Sequence, residues 1–557
     1  MNRRHFIKTS GASLGGLLIT PMLGTFCSCV SPQKQKVVAD IIALPDEVIA
    51  HTGNGIVPLG TTNRQTWTKN QITVDLRITE DCLSVVVHSP VDSLRSIVLT
   101  WKHASQPSYV YLGDAWERAY GDLRWLKADN NRIMPWYMME FDADRTHGFG
   151  VKTGCRAFCY WQLRNDTLQL TLDVRCGGKG VNLGQRELHA ADIVTRKGKM
   201  DETAYQATRA FCRQMCTKPR LPREPMVGTI DWYYTYGKCT DKLFLEEAAL
   251  FANLVDGCGV KGFALVDAGW APGDRSAWHS DQTTTHPDFG SIQKVGEGVA
   301  AMGLAPGIWT RVLCTNPKDP DSVRLSRDKK YLDPSLPQNL ERIRELMKLF
   351  RSWGFTVIKH DYTTYDIFGR WGPEMGAALT KDGWAFADSN RTTAEIILAL
   401  YQAIRDGCGD GGYIIGCNTI SHLSAGLFEF CRIGDDSGNN LERAMKYGCN
   451  PFAFRLSQHN TFYTADPDCI GNLKEIPWKY NRQFIQLVAA SGALLQTSTR
   501  LGSINEEQRK TLRDACQKIG SKQPKNIEPL DWMERGIPAR WKINDQIVVM
   551  DWDLTKP

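Results

Sequence analysis

"NLERIRELMKLFRSWGFTVIKHD" (residues 339–361) holds a helix signal and a strand signal back to back. Leu340, Ile343, Met347 and Phe350 recur at helical spacing among polar residues, and Gly354 then breaks the pattern. "FTVIKHD" (355–361) is a short apolar run that ends on Asp361. The same unit recurs through the C-terminal half of the chain. Eight such runs are present: "MVGTIDW" (226–232), "GFALVD" (262–267), "LAPGIWT" (304–310), "FTVIKHD", "GYIIGCN" (412–418), "EFCRIGDD" (429–436), "TFYTAD" (461–466) and "ALLQTS" (493–498). Amphipathic segments such as "DKLFLEEAALFANLVDG" (241–257) lie between most of them. Strand then helix, eight times, predicts a (β/α)8 TIM barrel over 225–520. Six of the eight strands end in a polar residue that could do chemistry, Asp231, Asp267, Asp361, Asn418, Asp436 or Asp466. Active sites of this fold lie at those strand ends. A capping role would suit any one of these residues, but six together point to a site.

Outward from the barrel the texture changes. Residues 35–215 carry alternating β-branched runs, "QITVDLRI", "CLSVVVHS", "SIVLTW" and "LQLTLDVRC", which predict an N-terminal β-sandwich domain. Residues 521–557 form a short C-terminal β segment, and "IPARWKINDQIVVMDWDLTKP" holds at most two strands. The chain is therefore multidomain, all-β followed by α/β. Residues 1–34 read as an export leader: Arg3 and Arg4 precede an uncharged run of small and apolar residues. "NRRHFIK" resembles the twin-arginine export motif, and "FCSC" resembles a bacterial lipobox with Cys29 as the lipidated residue. The protein is expected to be exported to the periplasm or cell surface, with a membrane tether through Cys29 as one option.

Composition narrows the function classes. With 42% hydrophobic and 23% charged residues the chain is an ordinary globular one. Its net charge of +6 comes without a Lys/Arg block, so nucleic acid is not an expected partner. The 17 cysteines include no CxxC and no Cys/His cluster at zinc spacing, so neither a metal nor another cofactor is expected. Cys155/Cys159 and Cys212/Cys216 would each share one face of a helix, and most cysteines read as buried free thiols, with a few disulfides allowed by export. The 17 tryptophans suit either core packing or apolar platforms for sugar rings. Oligomeric state is not legible.

A barrel mouth lined by carboxylates, with tryptophan close by, points to glycoside hydrolysis, which places two carboxyl groups on either side of a glycosidic bond. "VIKHDYTTYD", "IIGCN", "CRIGDDSG", "APGIWT", "ADPDC" and "SGALLQTS" resemble, in order and spacing, motifs of glycoside hydrolase families 36 and 27, the α-galactosidase clan. The resemblance covers roughly residues 225–500. It implies Asp361 as nucleophile with Lys359 beside it, and Asp436, four residues after Arg432, as general acid/base. It also places Asp267, Trp270, Trp309, Cys417 and Asn418 around the sugar, with Trp232 as pocket wall. Lys359 is expected to keep Asp361 ionised, while Asp435 and Asp361 are expected to raise the proton affinity of Asp436. Arg432 either meets a sugar hydroxyl or pairs with Asp435. Strand alternation turns His360 away from the pocket, and Asp366 reads as a surface or turn carboxylate.

One position departs from the clan's pattern. Where the clan carries Asp-Asp-Gly-Trp, this chain reads Asp267-Ala268-Gly269-Trp270. A lost hydrogen bond to a sugar hydroxyl costs on the order of 1–3 kcal/mol, enough to change the preferred sugar. The clan's C-terminal β-domain is also short here. The resemblance thus implies a retaining exo-acting α-glycosidase on an oligosaccharide or glycoconjugate, first of all an α-galactosidase. Alternatives are a related enzyme on an α-N-acetylgalactosaminide, β-L-arabinopyranoside or α-glucoside, a transglycosylase, or a non-catalytic surface carbohydrate-binding protein.

Overall fold

The computed structural model describes residues 44–273, 280–438, 440–470 and 476–553. The leader, with Arg3, Arg4 and Cys29, lies outside the described residues. The N-terminal domain is a pair of antiparallel sheets. One has six strands and runs from the edge strand Gly55–Pro58 through Glu47–Thr52, Leu94–Lys102, Thr167–Asp173 and Phe158–Arg164 to Met134–Pro135. The other has seven, with Leu83–His88, Leu188–Arg196 and Thr146–Val151 at its centre. Period-2 alternation sends Leu168, Leu170 and Leu172 into the core between them, where each is fully buried.

The helix Ala204–Met215 leaves the sandwich behind a Thr203/Gln206 capping box. It lies against Thr146–Val151 because Gly148 has no side chain: a Cβ there would meet the Phe211 ring at 2.5 Å.

The expected barrel follows. Its strands are Met226–Ile230, Lys261–Val266, Ala305–Thr310, Val357–His360, Tyr413–Gly416, Phe430–Arg432, Thr464–Asp466 and Leu495–Thr497, all parallel, with the eighth paired to the first. The seventh strand is broken. Thr464–Asp466 pairs with the sixth, while Cys469–Ile470 pairs with the eighth. Pro467 and Asp468, at φ 72°, make the break, and the Leu494 N–H closes the seam on the Ala465 carbonyl at 3.0 Å. The interior is filled by Phe263, Leu265, Val357, Ile415 and Phe430.

The strand–helix repeat fails once. After the fifth strand there is only the four-residue helix Ser421–Ser424. The sandwich packs directly on this connection: His422 stacks on Trp136 with centroids 4.8 Å apart and shares a hydrogen bond with the Val151 carbonyl. The C-terminal sheet has three strands, Ile527–Pro529, Arg540–Ile543 and Gln546–Val549. The last two are those expected after residue 537, and the first is added from upstream. All fifteen described cysteines are free and buried. Cys159 lies in a strand rather than on a helix face, with its sulfur 3.9 Å from that of Cys155. Among the described residues no group of His, Cys, Asp or Glu is placed to hold a metal ion.

Candidate active site

The first, second and fourth strands are tied together at their C-terminal ends by buried charges. Lys359 donates to Asp267 Oδ2 at 2.8 Å, and the Asp267 N–H donates to Asp231 Oδ1 at 2.7 Å. Burial raises the proton affinity of Asp267, against the pull of Lys359. Burial, then the Asp267 charge, carries the Asp231 carboxyl up to about 7. Burial alone would neutralise Lys359, but Asp267, with Cys417 and Asp361 behind it, outweighs burial and raises its proton affinity. The partner of Lys359 is therefore Asp267, not Asp361 as expected.

Asp361 sits where the fourth strand stops. Its Oδ1 accepts from the Tyr362 N–H at 2.7 Å and its Oδ2 from the Trp309 indole N–H at 3.3 Å. Tyr362 adopts the left-handed conformation at φ 64°, unusual for a bulky residue, and turns the chain sharply after Asp361. Its ring lies 4.1 Å from the Arg311 guanidinium carbon. Arg311 is itself held by Asp366 at 2.5 Å. Asp366 is fully buried, so the surface reading of this residue is wrong: it is the counter-ion of Arg311, and burial, opposed by that arginine, holds it at about 6.

Asp436 lies across the mouth with its side chain 44% exposed. Arg432 Nη2 is 2.8 Å from its Oδ1 and 2.9 Å from Asp468 Oδ2. Asp468 also accepts from the Tyr233 hydroxyl at 2.5 Å and the Ser437 N–H at 2.8 Å. Arg118 of the sandwich completes the group, 2.7 Å from Asp435 Oδ1 and 3.4 Å from Asp436 Oδ1. One alternative from the sequence falls and one expectation is reversed. Arg432 pairs with Asp436 and Asp468 rather than Asp435. The Asp436 carboxyl is lowered to about 2, because Arg432, Arg118 and Lys359 together outweigh burial, which alone would raise it.

These groups open into one cavity of about 310 Å³. Asp361, Asp436, Asp267, Lys359, Arg432, Trp232 and Trp309 line it, as does Ala268. Three expected contact residues do not. Trp270 is fully buried and donates its indole N–H to the Trp309 carbonyl at 2.9 Å, bracing the third strand from behind. Cys417 lies under Arg432, with Sγ 3.5 Å from Nη1. Asn418 is buried and bonded to Glu117 and to the Tyr365 N–H. His360 faces away as alternation requires, between Phe428 and Tyr401.

Sequence reasoning missed Arg118, Arg311, Tyr362 and Tyr236, and it quoted Asp468 without assigning it a place in the site. For Arg118 the only available signal was charge without alternation, "DAWERAYGD" (114–122), inside a β domain.

Fold and site together define a class: a barrel with a β-sandwich before it and a small cavity lined by carboxylates at its C-terminal mouth. No protein-family model matches the chain. Among solved structures it is similar to TtGalA, an α-galactosidase from Thermus thermophilus in complex with p-nitrophenyl α-D-galactopyranoside. That match has 15% identity and a TM-score of 0.58 and covers 90% of this chain and 98% of that one. It is also similar to the GH36 α-galactosidase AgaA from Geobacillus stearothermophilus, at 11% identity and TM-score 0.53, over 85% of this chain and 75% of that one. The galactosidase domain of the α-galactosidase–sucrose kinase AgaSK matches at 11% identity and TM-score 0.52, over 83% and 68%. The fold is that of the family 36 α-galactosidases.

Proposed function

We propose that the protein is a retaining, exo-acting α-glycosidase, with terminal α-galactosides as its first candidate substrates. The observation that carries this is the single cavity into which Asp361 and Asp436 both open. Two further carboxylates line its wall, Asp267 paired with Lys359 and Asp468 bonded to Arg432, Tyr233 and Ser437. The volume of about 310 Å³ is at the low end of the range for small-ligand sites, which suits one terminal sugar ring better than a run of chain.

In this reading Asp361 attacks the anomeric carbon and the C–O bond to the aglycone breaks. Asp436 gives its proton to the leaving oxygen. Water then enters, loses a proton to Asp436 and displaces Asp361, so that configuration is retained. The Trp309 indole and the Tyr362 N–H hold Asp361 in line. Export, and a tether through Cys29, belong to the same proposal.

A second reading is favoured by one residue. Ala268 lines the cavity where the clan has a carboxylate, which removes a hydrogen-bond acceptor for galactose and leaves room for a sugar with a different substituent there. Release of nitrophenol from a panel of nitrophenyl α-galactoside, α-N-acetylgalactosaminide, β-L-arabinopyranoside and α-glucoside separates these readings. p-Nitrophenyl α-D-galactopyranoside and stachyose, the ligands of two T. thermophilus complexes, are the first to try. Asp361→Ala should lower turnover at least 1,000-fold, in line with loss of a nucleophile worth roughly 4 kcal/mol or more. Turnover of none of the panel by wild type would end the enzyme reading.

A further inference from the structure

The segment 114–122 leaves the sandwich and crosses to the barrel mouth, and Asp114, Glu117 and Arg118 along it each meet a barrel residue. Asp114 accepts from Arg455 at 2.7 Å. Glu117, fully buried, accepts from the Gly372 N–H at 2.9 Å and from the Asn418 side chain. The Ala119 N–H donates to the Ile433 carbonyl at 2.9 Å, and the Asp435 N–H donates to the Ala119 carbonyl at 3.0 Å. Ala119 and Gly434 thereby form a parallel bridge between the two domains. Gly434 is required there, since a Cβ would fall 2.0 Å from the Tyr447 carbonyl. Arg118 is held beside this bridge. Its guanidinium lies 5.2 Å from the Trp371 ring and 5.7 Å from the Tyr120 ring, with only 6% of the side chain exposed.

We infer that Arg118 is a positioning residue of the candidate active site: delivered by the sandwich through the 119–434 bridge, it clamps the Asp436 carboxylate together with Arg432 and sets both its direction and its readiness to take a proton. The inference rests on the acid/base reading of Asp436. Arg118 is not on the cavity wall and acts only through Asp436.

The charged and titratable groups around Asp436 come from several elements. The sixth strand supplies Arg432, the fourth strand Lys359 with Asp361 and Tyr362 just beyond it, and the first connection Tyr233. Asp468 follows the broken seventh strand and shares Arg432. Asp435 is the neighbour in sequence, and Arg443 holds the Asp436 carbonyl at 2.8 Å and Asp435 at 3.5 Å. Of the described cations that act on Asp436, namely Arg432, Arg118 and Lys359, Arg118 is the one that the barrel does not supply. Two guanidiniums keep Asp436 ionised, so the base of the second half-reaction is present but weak. The same clamp makes the acid of the first half-reaction scarce as pH rises.

The test uses the full chain and a methyl glycoside of the sugar selected by the panel, whose leaving oxygen needs the proton. The alkaline limb of kcat/KM is recorded for wild type, Arg118→Gln, Arg118→Lys and Asp435→Asn, with thermal melts of each. Arg118→Gln should move the limb up by about one pH unit, and Arg118→Lys should leave it near wild type. Asp435→Asn should move it down, because Asp436 loses a neighbouring anion and Arg118 loses its competing partner. A limb unmoved in both Arg118→Gln and Asp435→Asn, whatever happens to kcat or the melting temperature, overturns the inference and leaves a structural salt bridge. Should Arg118→Gln not fold, the direction of Asp435→Asn decides alone. Wild type that cleaves no glycoside removes the acid/base reading and this inference together. Active wild type with unmoved limbs removes this inference only.

Discussion

His360 and Asp361 are neighbours with opposite environments. Asp361 faces the cavity, while His360 is fully buried against Phe428 and Tyr401, with neither ring nitrogen hydrogen-bonded. Burial lowers His360 from 6.5 to about 4, against a weaker opposing pull from Asp361. The unfolded chain therefore takes up the proton first as pH falls. The stability tied to this residue is whole above pH 6.5 and drains on the way down to about 4. The slope is about 1.4 kcal/mol per pH unit. His360→Phe removes that slope, so its melting temperature relative to wild type should rise between pH 7 and pH 5, whatever offset the larger ring brings. Equal differences at both pH values would contradict this. Asp231 runs the other way: held at about 7, it favours the folded state as pH falls through that value. At this scale the sequence was legible where alternation alone decides, as for His360. It was not legible where charge pairing decides. Lys359 has Asp267 and Asp361 both within the same layer, and only the packed geometry selects Asp267.

Among the elements, the barrel strands are legible because each is a short apolar run ending at a polar residue, and eight of them were placed correctly. What the pattern could not convey is the break in the seventh, where Pro467 and Asp468 split pairing between the sixth and eighth strands. That break turns Asp468 toward Arg432 and so brings a fourth carboxylate to the cavity wall. The first strand depends on a missing side chain. Gly228 sits where a Cβ would lie 2.1 Å from the Phe263 ring, one of the groups filling the barrel interior. Gly228→Ala should cost about 1–3 kcal/mol by overpacking. Phe263→Leu in the same chain should recover part of the loss. Recovery is read from urea unfolding, and a double variant no more stable than Gly228→Ala would show that the ring is not the obstacle.

At the scale of the whole molecule, sandwich, barrel and C-terminal sheet form one compact unit. A deeply buried tie between the first two is the ion pair of Asp114 and Arg455, with side chains 2% and 0% exposed and Gln458 as a further partner. Removing one member of such a pair strands the other charge in a dry environment. Asp114→Ala should therefore destabilise the protein by about 3–5 kcal/mol. Scanning calorimetry should still show one transition, because the strap 114–122 joins the two domains over several further bonds. Two separated transitions would mean that the domains are energetically independent.

The order of strands and helices, the faces they bury and the carboxylates at the strand ends follow from periodicity along the chain, and these the sequence determined by itself. The company each charge keeps did not follow from it. Arg118 and Asp436 are 318 positions apart in sequence, and Lys359 and Asp267 are 92 apart. Spacing along a chain constrains contacts only within a helix turn or across a strand. A salt bridge between distant elements exists only once the backbone has closed into a barrel and the sandwich has docked on it. Arg118's share in holding down the proton affinity of Asp436 was decided at that last step.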